Sequence, residues 1–331
     1  MKIAIVKLSA MGDIIHAMVA LQYIKKSKPN IQIDWIVEQS FKQVLEHNPH
    51  IDNILTVNLK AIKKDKLALF KEIKKVKTYA KNNYDLVIDA QGLLKSAITA
   101  KLLGKNRAGF SKTSIREGVA SYFYERKVEI AYDANTIDRN AKVMSEPLDI
   151  TISSQMVLDK EPFLFYDEEN TLDEYLSKDK KNIIFIIGST WESRNYPKEK
   201  FLEVANHLKE NTLIAWGSEE EREKALWLEE NSSYIKALPK INLNGLKSII
   251  AKSDLLIGND TGPTHMAWGL NIPSITIFGP TPVNRVYQTA INKTIKSKSE
   301  VNHYKLDKND FSITKIPSHK VILMARELLN A

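Results

Sequence analysis

The sequence predicts an α/β protein of two domains, each with a doubly wound parallel sheet flanked by helices. The chain has 331 residues, which is more than one compact core usually contains. Short apolar segments alternate with amphipathic helical segments, and this alternation indicates parallel strands joined by helical crossovers. It becomes irregular after about residue 104 and restarts near residue 182. Two successive sheets therefore explain the pattern better than one.

The clearest strands are predicted in two groups. They lie at 2–8, 31–38, 53–58 and 84–90, and again at 182–188, 212–217, 255–260 and 273–279. An acidic, loop-like stretch near 160–180 separates the groups, so we predict Rossmann-like domains at 1–165 and 175–315. A last amphipathic helix, 317–331, could return to pack on the first domain. Ligands bind beyond the carboxyl ends of the strands in such sheets, so the motifs are expected there, in a cleft between facing domains.

The composition excludes several classes of protein. The chain has no cysteine, which excludes disulfides, thiolate catalysis and zinc–thiolate sites. No segment approaches the roughly 18 to 20 consecutive apolar residues that a membrane-spanning helix needs. The first residues lack the apolar core and cleavage site of a signal peptide. These observations predict a cytosolic location.

The basic character of the chain is concentrated in one segment. The net charge is +8 and the isoelectric point is about 9.2. Eight lysines lie within Ile62–Asn83, interleaved with apolar residues. The ordinary interpretation is an amphipathic helix with a solvated basic face. The alternative is a surface for anionic lipid or another anionic acceptor; no nucleic-acid-binding motif with stacking aromatics is present, so we predict no nucleic acid partner.

The first strand leads into an unusual turn. The stretch KLSAMGDIIHAM, Lys7–Met18, has the form strand, glycine turn and helix. Nucleotide-binding domains commonly hold a phosphate on the bare N–H groups of such a turn. Asp13 would repel a phosphate there. The carboxylate is either the N-cap of a helix at 14–26 or a general base that takes the proton of an acceptor hydroxyl.

The second domain contains the complementary motif, in LLIGNDTGPTHMAWGLNIP. A strand ends at Asp260, and Thr261 and Gly262 open a helix that contains His265. Exposed N–H groups and the helix dipole form an anion site there. Asp260 or Thr261 could equally be an ordinary N-cap, with Pro263 in the first turn.

Two further strand ends in this domain carry polar residues. Ser189 and Thr190 follow the strand at 182–188, and Arg194 lies four residues beyond Thr190. Hydroxyl groups and a guanidinium suit a diphosphate, although such a loop is more often only a turn. A helix then opens with Glu219, Glu220 and Glu221. Acidic residues suit the first helical turn, and one of them could bind a ribose diol.

Taken together, these motifs resemble those of the bacterial lipopolysaccharide heptosyltransferases. The resemblance covers nearly the whole chain and rests on KLSAMGDIIHAMVAL, DAQGLLKSA and GNDTGPTHMAWGLNIPSITIFGPT. It implies a GT-B glycosyltransferase that moves heptose from ADP-L-glycero-β-D-manno-heptose to the Kdo of Kdo-lipid A, with inversion. The Ser-x-x-Gly-Asp form of the first turn favours the enzyme that adds the first heptose over the one that adds the second.

The resemblance also assigns roles to residues. It makes Asp13 the general base, Glu221 the ribose contact and Ile241 an apolar neighbour of the adenine. The remaining donor contacts that it implies are Ser189, Thr190, Arg194, Asp260, Thr261, Gly262 and His265. Two positions depart from the family pattern, which often has Lys where Arg194 stands and Met where Ile241 stands.

A direct displacement follows from these roles. Asp13 would deprotonate the acceptor while Arg194 and the helix N-terminus stabilise the departing ADP. The sequence lacks a DxD-like carboxylate pair, so we expect no obligatory metal ion and no cofactor. An anionic lipid acceptor implies a protein peripheral to the cytoplasmic face of the inner membrane, and we expect a monomer. The basic residues expected to meet Kdo carboxylates and lipid A phosphates are Lys60, Lys63, Lys64, Lys95 and Arg116.

Three alternatives stay open at this level. The nearest is a transferase of the same family with another sugar or acceptor. An NAD(P)-dependent oxidoreductase is disfavoured, because no G-x-G-x-x-G follows any strand. A binding protein without catalysis, such as a solute receptor, is disfavoured because no export signal is visible.

Overall fold

The computed structural model describes residues 1–61 and 67–330. The chain divides into two compact units, Met1–Phe163 and Leu164–Ala331. Each unit has a six-stranded sheet in which every strand pair is parallel. The predicted fold class, α/β with two doubly wound parallel sheets, is confirmed.

The first unit has the strand order β3-β2-β1-β4-β5-β6. Its strands are β1 Lys2–Val6, β2 Gln32–Glu38, β3 Asn53–Val57, β4 Leu86–Asp89, β5 Arg107–Phe110 and β6 Arg126–Val128. Its helices are α1 Met11–Met18, α2 Ala20–Ser27, α3 Lys42–Leu45, α4 Leu67–Tyr79, α5 Leu94–Leu103, α6 Thr136–Ser145 and α7 Ser154–Leu158, with a 3₁₀ helix at Gly118–Phe123.

The second unit repeats this order as β12-β11-β10-β7-β8-β9. Its strands are β7 Asn182–Ile186, β8 Asn211–Ala215, β9 Ile235–Ala237, β10 Leu255–Asn259, β11 Ser274–Phe278 and β12 Asn292–Lys296. Its helices are α8 Lys198–Leu208, α9 Glu219–Glu230, α10 Leu243–Ala251, α11 Gly262–Gly269 and α12 Ser318–Leu329, with a 3₁₀ turn at Glu192–Arg194.

The centre of each sheet is apolar on both faces. Every residue of β4, β7, β10 and β11 is buried, as expected for parallel strands that are covered by helices on two sides. In each sheet the strand order reverses at one place, between β1 and β4 in the first unit and between β7 and β10 in the second. Ligands bind at such switch points. The sheet topology therefore predicts that functional residues lie in the loops after β1, β4, β7 and β10.

The helix after β1 differs from its prediction. It begins at Met11, so Asp13 is its third residue and is not the N-cap of a helix at 14–26; the N-cap is Ala10. The Asp13 carboxylate accepts a hydrogen bond from the Ala10 N–H at 3.3 Å. The helical stretch is also divided, since α1 ends at Met18 and α2 begins at Ala20. Ala10 cannot cap a helix through its side chain, so no local signal marks the true start.

The last helix packs within the second unit, whereas the sequence left open a return to the first domain. Its buried side chains belong to the core of the second sheet, and α12 contacts α8, β10 and β11. The physical reason is its apolar stripe, which covers a face of that sheet next to α8. The buried side chains of this stripe are Val321, Ile322, Ala325 and Leu328.

Among the described residues, no helix combines the length and the apolar character that crossing a bilayer requires.

We predict that Leu328→Ala lowers the free energy of unfolding of the second unit by about 2–4 kcal/mol, because it empties a buried site. Leu323→Ala in the same helix is the matched control, since Leu323 is 63% exposed and its loss should change stability by only about 0.5 kcal/mol. Urea unfolding followed by tryptophan fluorescence reports this unit, which contains four of the five tryptophans. Equal losses for both variants would contradict the packing of α12.

Candidate active site

A buried carboxylate organises the switch point of the second sheet. Asp260 follows β10 and is 1% exposed. One of its oxygens, Oδ2, lies 3.0 Å from Arg194 Nη2 and accepts a hydrogen bond from the Thr281 hydroxyl at 2.7 Å. The other, Oδ1, lies 3.2 Å from His265 Nε2. Three of the predicted donor-site residues are therefore brought into direct contact, although Arg194 comes from a different segment of the chain than Asp260 and His265.

The surroundings of Asp260 keep it ionised. Burial alone would raise the pKa of this carboxyl, but the hydrogen bond from His265 and the positive charges of Arg194 and Arg285 outweigh burial, so the pKa lies below its ordinary value. A buried carboxylate that stays charged fixes a buried guanidinium beside it. Arg194 is thereby held with its guanidinium over the Trp191 ring, 5.4 Å from the ring centroid.

The loop after β7 is shaped by a buried amide. Asn259 accepts a hydrogen bond from the Tyr196 N–H at 2.9 Å and donates one to the Ile187 carbonyl at 2.8 Å. Both ends of the loop that contains Ser189, Thr190 and Arg194 are thus fixed to the end of β10. The Ser189 hydroxyl is shielded from solvent, yet it has no hydrogen-bond partner among the described residues. A buried hydroxyl in that state is suited to a ligand oxygen.

The N-terminus of α11 is left open to an anion. Thr261 is the N-cap residue, but its hydroxyl makes no capping hydrogen bond. The Asp260 carboxylate is engaged by Arg194, His265 and Thr281. Of the two residues considered as N-cap, Thr261 occupies that position, with Pro263 in the first turn, but neither Asp260 nor Thr261 makes a side-chain capping hydrogen bond to a described residue. Gly262 is the first helical residue, and its lack of a side chain permits close approach of a ligand to the backbone.

Glu221 lies beside the end of β7 and stabilises the start of α9. Its Oε2 accepts hydrogen bonds from the Gly217 N–H at 2.5 Å and the Ser218 N–H at 3.3 Å. In return, the Ser218 hydroxyl accepts from the Glu221 N–H, which completes a capping box at the start of α9. A Cβ on Gly188 would lie 1.9 Å from Oε1 of Glu221. Gly188 is therefore required for α9 to approach the end of β7 this closely.

Ile241 lies in the neighbouring loop, between β9 and α10, and is half-buried. Two contacts fix this loop to the end of β8. The Trp216 indole donates to the Leu238 carbonyl at 2.6 Å, and the Lys240 ammonium donates to the Gly217 carbonyl. Ile241 is thus placed near the start of α9, but no described contact joins it to the Asp260 cluster.

In the first unit, the loop that leads to Asp13 is held by the segment after β4. The Gln91 side-chain carbonyl accepts hydrogen bonds from the Leu8 N–H at 3.1 Å and the Ser9 N–H at 3.0 Å. Asp13 is half-buried, and its Oδ2 bonds to Ala10. Its Oδ1 has no hydrogen bond to a described residue. The DAQGLLKSA motif therefore positions the candidate base.

Lys7 is a buried lysine behind this loop. Its ammonium donates to the Ala90 carbonyl and to Oδ1 of Asn140, both at 2.8 Å. Burial lowers the pKa of Lys7, while the charges of Asp13 and Asp89 oppose that shift. Lys7 therefore links the end of β1 to the segment after β4 and to α6.

Three of the predicted acceptor residues lie on the surface of the first unit. Lys60, Lys95 and Arg116 are exposed, and the Lys60 ammonium lies over the Phe41 ring at 5.1 Å. Leu94 and Glu117, the neighbours of Lys95 and Arg116, share a hydrogen bond at 2.8 Å, so Lys95 and Arg116 lie on adjacent segments. Lys63 and Lys64 lie outside the described residues.

Sequence reasoning missed several residues of these sites. Thr281 follows β11 in the GPT triplet. Its hydroxyl, close after the end of a strand, could have identified it. Asn259 was hidden inside an apolar strand, and Lys7 was assigned no role. Within residues 1–61 and 67–330, no group of three or more His, Cys, Asp or Glu side chains is placed to hold a metal ion.

These features define a class. Two parallel sheets with the same reversed strand order, and an anion-directed site at the switch point of the second, are the architecture of a GT-B glycosyltransferase. A sequence profile of glycosyltransferase family 9 (heptosyltransferase) matches residues 72–314. The chain belongs to this family.

Individual relatives agree with this assignment. Lipopolysaccharide heptosyltransferase 1 of Campylobacter coli is 38% identical over 99% of each chain. The protein of the same name from Escherichia coli (strain K12) is 30% identical over 85% of this chain and 88% of its own. The structure of E. coli heptosyltransferase WaaC with ADP-2-deoxy-2-fluoro heptose superposes with a TM-score of 0.81, at 25% identity and full coverage of both chains. The oxidoreductase and solute-receptor alternatives are therefore not retained.

We predict that Asp260→Asn destabilises the second unit by about 3–5 kcal/mol at neutral pH, because it leaves Arg194 buried beside a neutral group. A carboxyl with a lowered folded-state pKa contributes stability above its unfolded pKa, about 3.9. The contribution is lost as the pH falls toward the folded-state value. The stability gap between wild type and variant should thus shrink below about pH 4, by at most about 1.4 kcal/mol per pH unit.

Urea unfolding between neutral and acidic pH measures this gap. Asp179→Asn is the matched control, since Asp179 is exposed in the same unit and its loss should leave the pH dependence unchanged. A gap that stays constant into the acid range would mean that Asp260 is not the ionised group described above.

Proposed function

We propose that the protein transfers L-glycero-D-manno-heptose from ADP-heptose to the Kdo of Kdo-lipid A, with inversion, in synthesis of the lipopolysaccharide inner core. The observation that supports this most strongly is the buried cluster of Asp260, Arg194 and His265 at the switch point of the second sheet. The names of the relatives support heptose as the sugar, and the WaaC structure holding an ADP-heptose analogue supports the nucleotide.

The donor is bound by the second unit. Arg194 and the N-terminus of α11 at Gly262 bind the diphosphate, with the hydroxyls of Ser189, Thr190 and Thr261 as hydrogen-bond partners. Asp260 acts through its neighbours, because it orients Arg194 and His265 toward the sugar diphosphate. Negative charge that develops on the departing ADP is then stabilised by a guanidinium and a helix dipole that are already in place. No metal ion is required for that stabilisation.

The nucleoside is bound by the next two loops. Glu221 uses only Oε2 for its capping box, and Oε1 makes no hydrogen bond with a described residue. We assign Oε1 to the ribose hydroxyls. Ile241 provides apolar contact for the adenine. Its position in the loop fixed by Trp216 and Lys240 supports this assignment.

Asp13 is the general base of the reaction. The Kdo hydroxyl forms a bond to the anomeric carbon of heptose as the bond from that carbon to the ADP oxygen breaks, and the hydroxyl proton passes to Asp13. The free Oδ1 of Asp13 is the proton acceptor, since Oδ2 is held by the Ala10 N–H. Attack opposite to the leaving group inverts the anomeric configuration.

The acceptor is a lipid with carboxylates and phosphates, which explains the basic surface of the first unit. We assign Lys60, Lys95 and Arg116 to these anionic groups, together with Lys63 and Lys64. The protein works as a monomer at the cytoplasmic face of the inner membrane, and it needs no nucleic acid partner or cofactor. A heptosyltransferase II activity is less well supported, because the E. coli heptosyltransferase II structure shares the fold (TM-score 0.76) at only 18% identity.

We predict that Asp13→Asn lowers the rate of heptose transfer about 10²–10⁴-fold, the usual contribution of a general base. The affinity for ADP-heptose should not change, because the donor contacts lie in the second unit. Transfer is measured by mass spectrometry of Kdo-lipid A, and donor affinity by calorimetry. Asp149→Asn is the control; Asp149 is exposed with a left-handed backbone that Asn also favours. Unchanged turnover in the Asp13 variant would leave Asp13 as a helix-stabilising residue only.

A further inference from the structure

The first unit exposes a group of large apolar side chains on two adjoining elements. Leu94 and Ile98 lie one turn apart on α5 and are 41% and 44% exposed. Val119 and Tyr122 lie on the 3₁₀ helix Gly118–Phe123 and are 61% and 71% exposed. We call these four residues the α5 patch. Contiguous exposed apolar side chains mark interaction surfaces more often than chance exposure does.

The two elements of the α5 patch are fixed to each other. Ala97 of α5 packs with Ala120 and Tyr124 in a small buried cluster. The Glu117 carboxylate accepts a hydrogen bond from the Leu94 N–H at 2.8 Å. Because small residues face inward here, the large residues beside them are left on the outside. The exposure of the α5 patch is therefore a property of the packing and not of a loose segment.

Basic residues flank the α5 patch in the sequence. Between residues 94 and 123 the sequence has six basic residues and one acidic residue, Glu117, whose carboxylate accepts a hydrogen bond from the Leu94 N–H. One of the six, Arg107, is paired with Glu125. The ammonium of Lys101 lies 5.5 Å from the centroid of the Phe123 ring. In the described part of the chain, Lys95, Lys101 and Arg116 form no ion pair. A surface that combines aliphatic, aromatic and uncompensated basic side chains matches the interface of an anionic bilayer.

The start of the α5 patch lies at the same edge of the first sheet as the candidate base. Helix α5 begins just after Gln91, whose side chain holds the loop before Asp13. The start of α5 and the candidate base thus share the carboxyl edge of the first sheet. A surface that rested on a membrane at this edge would bring Asp13 close to the headgroup layer, where the sugar of a lipid acceptor lies.

We propose that the α5 patch inserts into the surface of a bilayer containing anionic phospholipid. Its apolar side chains enter the headgroup boundary while Lys95, Lys101 and Arg116 contact lipid phosphates. This inference deepens the proposed function, because it names the surface by which the enzyme reaches a membrane-bound acceptor. Binding to a plain phospholipid vesicle needs neither donor nor acceptor, so it can be tested separately from catalysis.

The test is co-sedimentation of the full chain with phosphatidylcholine vesicles that contain or lack phosphatidylglycerol. Wild type should bind the anionic vesicles, bind the neutral ones much less, and be released by added salt. Val119→Ser with Tyr122→Ser should weaken binding at least about tenfold, because both side chains lose their apolar contact with the bilayer. The matched control is Leu323→Ser with Tyr304→Ser in the second unit, where the exposures are 63% and 66%; its binding should equal that of wild type.

Several results would overturn the proposal: no binding of wild type to anionic vesicles, equal binding to both kinds, or a patch variant that binds as well as the control. Transfer to detergent-solubilised Kdo-lipid A separates the two claims. If the patch variant keeps this activity and loses vesicle binding, both claims are supported. If wild type transfers heptose but does not bind vesicles, the membrane surface is wrong and the proposed function stands. If wild type binds vesicles but transfers nothing, the membrane surface stands and the proposed function is wrong.

Discussion

The buried carboxylate of Asp260 is the constraint around which the second unit is arranged. It stays ionised because His265, Arg194 and Arg285 supply more favourable interaction than burial removes. Its charge holds Arg194, which lies in the loop after β7. The preceding residue of the chain, Asn259, fixes both ends of that loop. Arg194 is held in place by its ion pair with Asp260. The Ser189 hydroxyl and the N-terminus of α11 lack side-chain hydrogen-bond partners among the described residues. The proposed binding of a leaving diphosphate rests on these three features.

The two units use the same topology for different chemistry. Each has its strand order reversed at one place, and in each the loops after the two flanking strands contain the candidate functional residues. In the second unit these loops gather cationic and neutral donors. In the first, the corresponding turn presents Asp13, supported by Gln91 and by the buried Lys7. A carboxylate at that turn is consistent with a domain that binds no phosphate of its own and instead accepts a proton.

Much of this was predictable from sequence, and the exceptions have physical causes. Alternating apolar segments identified both sheets, and the residues after β7 and β10 were selected by strand ends alone. The contact of Asp260 with Thr281 was not predictable, because hydrogen bonds between loops leave no local pattern. The true start of α1 was missed because Ala10 cannot cap a helix through its side chain. The packing of α12 depends on which face of the sheet is uncovered. The capping box of Glu221 was missed because acidic residues in a first helical turn suit several roles.

The most direct test of this account is a double-mutant cycle on ADP binding, with Arg194→Gln, Asp260→Asn and the pair, measured by calorimetry on variants shown to be folded by circular dichroism. If Asp260 acts by holding Arg194, then Asp260→Asn should weaken ADP binding in wild type and have little further effect once Arg194 is replaced. Equal losses in both backgrounds, or no ADP binding by the wild type, would contradict the central role given to this ion pair.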